Sequence, residues 1–394
     1  MKGGIGMIYE LRHFDDVLIR FSATEDTSMP ETEILWVNDD KRDLMPLDLS
    51  LDEEGIASWL KHRTIPKNRA YVDAFLSKCG LSLNRPMNVI SVSKGLSLND
   101  CYWVTPEGFD GTYDKFNLYD NRFSKILGLI AFTGFGSSIR SSLASCPEFT
   151  TNGMLPKCWR REKGKIMLYK GGTKGASNTG NEPFSEFYAS QIAEKMEINA
   201  VSYGLSNWKI NGKDNKPYHE LCSTCELFTS KEYSFMPIGR LVKKGGMKAV
   251  REYYKTLGDE YVSALDDMLV LDAVICNTDR HYGNFGFLID NRTNKISAPA
   301  PLFDHGNSLF NLAGLDSFDS PEALETYAET LMPCVYDDFI GTARSVLNNR
   351  HRAGLRRLLD FRFERHSRYN LDRRRLTLIE GQIHKRAGEL LGRS

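Results

Sequence analysis

An α+β fold, with a mixed N-terminal region and a mostly helical C-terminal part, is what this sequence predicts. Three observations carry the prediction. The 394 residues suffice for about two to three domains with at least one sizeable core. Short strand-like runs alternate with helical patterns as far as residue 235. After residue 246 the pattern becomes mostly helical. The units expected are therefore 1–145, an α+β subdomain of undefined role; 146–235, a strand-rich region; and 236–394, a helical region.

In chain order, residues 8–21 and EILWV (33–37) read as strands. SLDEEGIASWLKHR (50–63) reads as a capped helix closed off by Pro66, and NRAYVDAFLSK (68–78) as another. DNRFSKILGLIAF (120–132) is an amphipathic helix, and the Ser/Thr/Gly-rich tract after it closes the first unit near residue 145. The second unit has a strand in KIMLYK (165–170), the Gly-rich loop GGTKGASNTGN, and a helix in PFSEFYASQIAEKM, where Pro183 suits the first turn. YGLSNWKING and KPYHELCSTCELF are strands around the turn NGKDN (211–215).

Lys plus Arg and Asp plus Glu both total 51, the net charge is zero, and 41% of residues are hydrophobic. Nothing global calls for a membrane, and direct nucleic-acid binding is not expected. Eight scattered cysteines favour reduced thiols and a cytoplasmic location. The N-terminus meets charge before a secretory core forms, and the apolar run ILGLIAF (126–132) is far short of the roughly 18 residues a span needs. The one marked charge asymmetry lies in 350–375, with ten Arg, no Lys and three acids. It reads as a solvated helical face, with a docking patch for an acidic protein or nucleic acid as the alternative.

The chemistry concentrates in NTDRHYGN (277–284), where Asn284 follows Asp279 by five residues. Phosphoryl transfer needs a group to position the attacking hydroxyl and hard oxygen ligands for magnesium, and a protein-kinase catalytic loop supplies both at this interval. Upstream, DDMLVLDAVIC is a buried helix feeding the loop. Downstream, FGFLID, NRTN and KISAPAPLF form a hairpin that runs into Asp304-His305-Gly306, the place of a second metal-binding carboxylate. Lys170, ending its strand, is the expected phosphate-contacting lysine, and Glu186 its helical partner, with Glu182 competing from the helix start. The turn FTTNGMLPK (149–157), with Thr150, Thr151, Asn152 and Gly153, offers hydroxyls and backbone N–H groups to phosphates. Glu226 and Phe228 border the expected adenine pocket, and Lys174 is a further candidate for phosphate contact.

These residues resemble the HipA-type serine/threonine kinases of bacterial toxin–antitoxin systems. TDRHYGN (278–284) is similar to the family's T-D-x-H-x-x-N, PLFD (301–304) to its P-x-Y-D, and FTTNGMLPK to its nucleotide loop. The resemblance, over about 149–310, implies a bilobed protein-kinase-like fold. In it Asp279 would be the catalytic base, Asn284 and Asp304 would hold Mg2+, and Lys170 would contact ATP. It also implies autophosphorylation in the nucleotide loop, at Thr150 or Thr151. As protein substrate it implies a translation factor or aminoacyl-tRNA synthetase, and as partner a helix-turn-helix antitoxin, although no motif here encodes either. Two rivals stay open: a phosphoinositide-type lipid kinase, whose D-R-H-x-x-N loop is matched at 279–284, and a non-catalytic nucleotide-binding scaffold.

His281 and His305 are expected to brace their loops. Arg280 either neutralises phosphate or pairs with a neighbouring acid. Cys222 and Cys225 form a lone C-x-x-C and read as packing residues, because zinc needs four ligands.

Overall fold

The computed structural model describes residues 6–25, 27–137, 146–176, 178–211 and 217–393. Strands β1 (Met7–His13), β2 (Asp16–Ala23) and β3 (Thr32–Val37) open the chain. Helices α1 (Glu53–Lys61), α2 (Val72–Lys78) and α3 (Pro86–Ser93) follow, then β4 (Tyr102–Pro106). The four strands form one antiparallel sheet in the order β3-β2-β1-β4. Asp52 starts α1 by accepting a hydrogen bond from Gly55 N at 2.6 Å. The helix ends at Lys61, before Pro66. Ile56, Trp59 and Leu60 of α1 pack with Met87 and Ile90 of α3 on Tyr9, Leu11, Ile19 and Phe21 of the sheet. The short α4 (Tyr113–Phe116) leads to α5 (Lys125–Thr133), which Ser124 caps at Leu127 N. Helix therefore begins five residues later than the sequence pattern suggests. The boundary expected near 145 lies outside the described residues.

The second sheet, in the order β5-β6-β8-β7, is antiparallel and consists of β5 (Lys157–Glu162), β6 (Lys165–Gly171), β7 (Gly204–Asn211) and β8 (Pro217–Glu226). Lys163 and Gly164, both at positive φ, make the two-residue turn between β5 and β6. All but the first residue of the expected turn NGKDN lies outside the described residues. Helix α6 (Glu182–Met196), with Pro183 in its first turn, crosses from β6 to β7.

The third group is β9 (Tyr233–Pro237), α7 (Ile238–Leu241), α8 (Gly246–Leu257), α9 (Asp259–Ile275), β10 (Gly286–Asp290), β11 (Lys295–Pro299), α10 (Pro321–Glu329), α11 (Phe339–Val346), α12 (Asn349–Arg356) and α13 (Arg373–Leu390). Strand β9 runs across residues 235 and 236 and pairs with β10 in the sheet β11-β10-β9. Leu265 to Ile275 of α9 are buried without a break, so that helix is the centre of the largest core. Tyr188, Ile192 and Met196 of α6 belong to the same core. The helix thus carries Glu186 on a support fixed to the helical lobe.

Half of the Arg-rich stretch is bound within the fold. Arg350 pairs with Asp267, Arg357 with Glu197, and Arg362 with Glu380. Arg374 and Arg375 donate to the carbonyls of Asp319 and Phe310. All eight cysteines are free. Cys222 and Cys225 sit in separate small cores, which fits a packing role. Among the described residues no helix is long and apolar enough to cross a membrane.

Candidate active site

Helix α9 stops at Cys276 in the left-handed region, and the loop that follows is shaped by Arg280. This guanidinium is fully buried. Its Nε and one terminal nitrogen donate to the two oxygens of Asp272, each at 3.0 Å. The other terminal nitrogen donates to Phe303 O at 2.5 Å and to Asn284 O at 3.3 Å. Burial alone would lower the Arg280 pKa, and the Asp272 carboxylate outweighs it. Arg280 thus pairs with a neighbouring acid, the second of its two expected roles. It also donates to His305 Nδ1 at 3.0 Å. A guanidinium only donates, so the neutral ring of His305 carries its proton on Nε2. Burial holds this histidine well below the ordinary imidazole range. His281 Nδ1 accepts from Gly283 N at 3.0 Å, which braces the loop as expected.

Asp279 Oδ2 accepts from Asn307 Nδ2 at 3.0 Å. Asn284 Nδ2 donates to Asp279 O at 3.2 Å, which leaves its amide oxygen for another partner. Asp304, at φ 58, receives Tyr203 Oη–H through neither oxygen; instead its backbone N donates to that hydroxyl at 3.1 Å. The Asp304 carboxylate meets Lys170 Nζ, which also lies 2.7 Å from Glu186 Oε1. Glu186 Oε2 accepts from His305 N at 2.8 Å. Glu182 is occupied elsewhere, accepting from Thr173 N at 3.2 Å. Burial would lower Lys170, yet Asp304 and Glu186 together raise it above the usual lysine value. Burial would likewise raise Asp304, and the ammoniums of Lys170 and Lys157 keep it below the usual carboxylate range.

Lys157 and Asn307 escape prediction from sequence. Lys157 stands directly across the β5–β6 ladder from Lys170, and only that register reveals it. Its buried ammonium donates to Asn152 O at 2.9 Å. Burial and the charge of Lys170 push its pKa down to about 7. Gly153, at φ 93, leaves room for this ammonium, since a Cβ there would collide with Lys157 Nζ. Thr150 Oγ donates to Leu96 O and Thr151 Oγ to Pro147 O, both at 2.7 Å. Lys174 is drawn away to Glu220 at 2.8 Å.

A cavity of about 600 Å³ is lined by Lys157, Lys170, Asn284 and Asp304 together with Thr150, Thr151, Asn152 and Gly153, while Asp279 and Glu186 stand outside its lining. Phe228 and Phe303, ring centroids 5.4 Å apart, line it as well. Glu226 reaches the wall while its carboxylate pairs with Lys165. Leu98, Asp100 and Trp59 of the N-terminal unit close another side. The volume suits a nucleotide-sized ligand. One carboxylate and one amide oxygen facing a cleft are the hard donors that magnesium takes.

No family model and no curated protein matches this chain. Among solved structures it is similar to HipA of Shewanella oneidensis MR-1, solved in a complex with HipB and operator DNA. The match has 14% identity, covers 98% of each chain and gives a TM-score of 0.50. The chain has the HipA kinase fold. Because the HipA match spans 98% of the chain, it takes in the N-terminal unit, for which the sequence motifs give no support. The proinflammatory kinase CtkA of Helicobacter pylori also matches, at 17% identity over 60% of this chain and 91% of its own, with a TM-score of 0.46.

Proposed function

We propose that this protein transfers the γ-phosphoryl group of ATP to a serine or threonine hydroxyl of a protein. The observation that carries the reading is the convergence of Lys170, Glu186 and Asp304, with Arg280 binding the Asn284 and Phe303 carbonyls so that the loop of Asp279 and Asn284 lies beside Asp304. Asp279 receives the hydroxyl proton while Asn307 keeps its carboxylate aimed. Lys170, held by Glu186, aligns the phosphates. Asn284 and Asp304 would hold Mg2+, which neutralises charge developing on the phosphates.

Autophosphorylation of Thr150 or Thr151 belongs to the same proposal. It requires the nucleotide loop to release both hydroxyls from the carbonyls of Leu96 and Pro147. A helix-turn-helix antitoxin is the partner proposed, in keeping with the HipB present in the HipA complex.

The test compares wild type with Asp279→Asn in labelled ATP, with cell lysate or lipid vesicles as acceptor. Transfer to protein should fall about 10²- to 10⁴-fold in the variant. Near-normal transfer by Asp279→Asn would remove its assigned role, and label appearing in lipid alone would make the protein a lipid kinase.

A further inference from the structure

The turn between α1 and α2 belongs to the N-terminal unit, yet it is bound to the nucleotide loop at three places. Arg69, almost fully buried, donates to Thr151 O at 2.8 Å and to Lys157 O at 2.6 Å, the two ends of the loop. Ala70 N donates to Met154 O at 2.7 Å, at its tip. Lys157 Nζ takes the Asn152 carbonyl. Four loop carbonyls are therefore occupied, while the N–H groups of Asn152, Gly153 and Met154 have no hydrogen-bond partner among the described residues. A loop with its acceptors tied down and its donors open is a place for an anion.

Among the described residues no carboxylate lies within ion-pair distance of Arg69. The nearby Glu148 carboxylate accepts from Trp159 N at 2.8 Å and from the Cys146 thiol at 2.5 Å. Arg69 Nε is buried without a partner. A buried cation satisfied only by backbone carbonyls, those of Thr151 and Lys157 and, at 3.5 Å, that of Glu148, is costly to keep for packing alone. Its fork spans two carbonyls, which a lysine ammonium on a flexible stem does not reproduce.

We propose that Arg69 is a positioning residue for the phosphate end of the cleft, and that the N-terminal unit acts through it as a clamp on the nucleotide loop. The proposal rests on the cleft being a nucleotide site. The clamp lies at the phosphate end, so it governs binding of phosphates and leaves the nucleoside end unaffected.

The test measures dissociation constants of adenosine and of magnesium AMP-PNP by calorimetry for wild type, Arg69→Lys and Arg69→Met. Both variants should bind AMP-PNP weaker by about tenfold or more, because the ordering of a freed loop then falls on the binding step. Adenosine affinity should stay within about twofold. Should the Arg69 variants fail to fold, Ala70→Pro, which removes the tip tether and also restricts the backbone of Arg69, carries the same expectation. Equal weakening for both ligands, or unchanged AMP-PNP affinity in a folded variant, overturns the clamp. A wild type that binds adenosine but gains nothing from the phosphates overturns it too. A wild type that binds neither ligand overturns the nucleotide reading itself, and the clamp with it.

Discussion

Two lysines that face each other across a β-ladder would ordinarily repel, and here Lys157 and Lys170 do so inside a cleft. The strain is shared unequally. Lys170 has two carboxylates and stays charged, while Lys157, with a carbonyl and a distant Asp304, titrates near 7. A bound phosphate favours the ammonium and raises the Lys157 pKa in the complex. Above pH 7 the complex then holds more protons than the free protein, so nucleotide affinity falls as pH rises through that range. Calorimetry at pH 8 in buffers of different ionisation enthalpy should show proton uptake on AMP-PNP binding. Lys157→Met should abolish it.

At the scale of elements, what the sequence announced was what local chemistry alone determines. The mostly apolar stretch of α9, Pro183 at the start of α6 and the turn residues between β10 and β11 each follow from neighbouring residues. Order and intervals pointed to Lys170, Glu186, Asp279, Asn284 and Asp304, and of these the structure pairs Lys170 with Glu186 and Asp304. Strand β5 escaped because KCWRRE has no clean alternation of apolar and polar residues, and β9 because YSFMP alternates no better. Lys157 was hidden with β5, since its value depends on what stands opposite. Arg69 was hidden because its partners are carbonyls about 80 positions away, which no side-chain pattern reports. Elements far from the cleft should be separable from function. Ser320 caps α10 at Ala323 N, 3.1 Å away. Ser320→Ala should cost about 1 kcal/mol in denaturant unfolding and leave AMP-PNP affinity unchanged.

The whole molecule depends on its first third. Phe149 at the head of the nucleotide loop packs with its ring tilted against Phe75 of α2, centroids 5.0 Å apart, in a core shared with α5. On the other side Asp48 pairs with Arg240 at 3.1 Å, and Asn294 donates to Met45 O at 2.6 Å. A chain beginning at residue 146 would leave Phe149 and the outer side of β5 bare. It should aggregate or unfold without cooperativity, and a soluble, cooperatively melting fragment that binds AMP-PNP would contradict this. The buried guanidinium of Arg280 bears on pharmacology. It joins Asp272, the Asn284 carbonyl, the Phe303 carbonyl and His305 in one knot. Turning the Asp304 segment outward would strip a buried charge of two acceptors at once. An inhibitor that requires that outward shape must first break those contacts, and so has a depleted population to select.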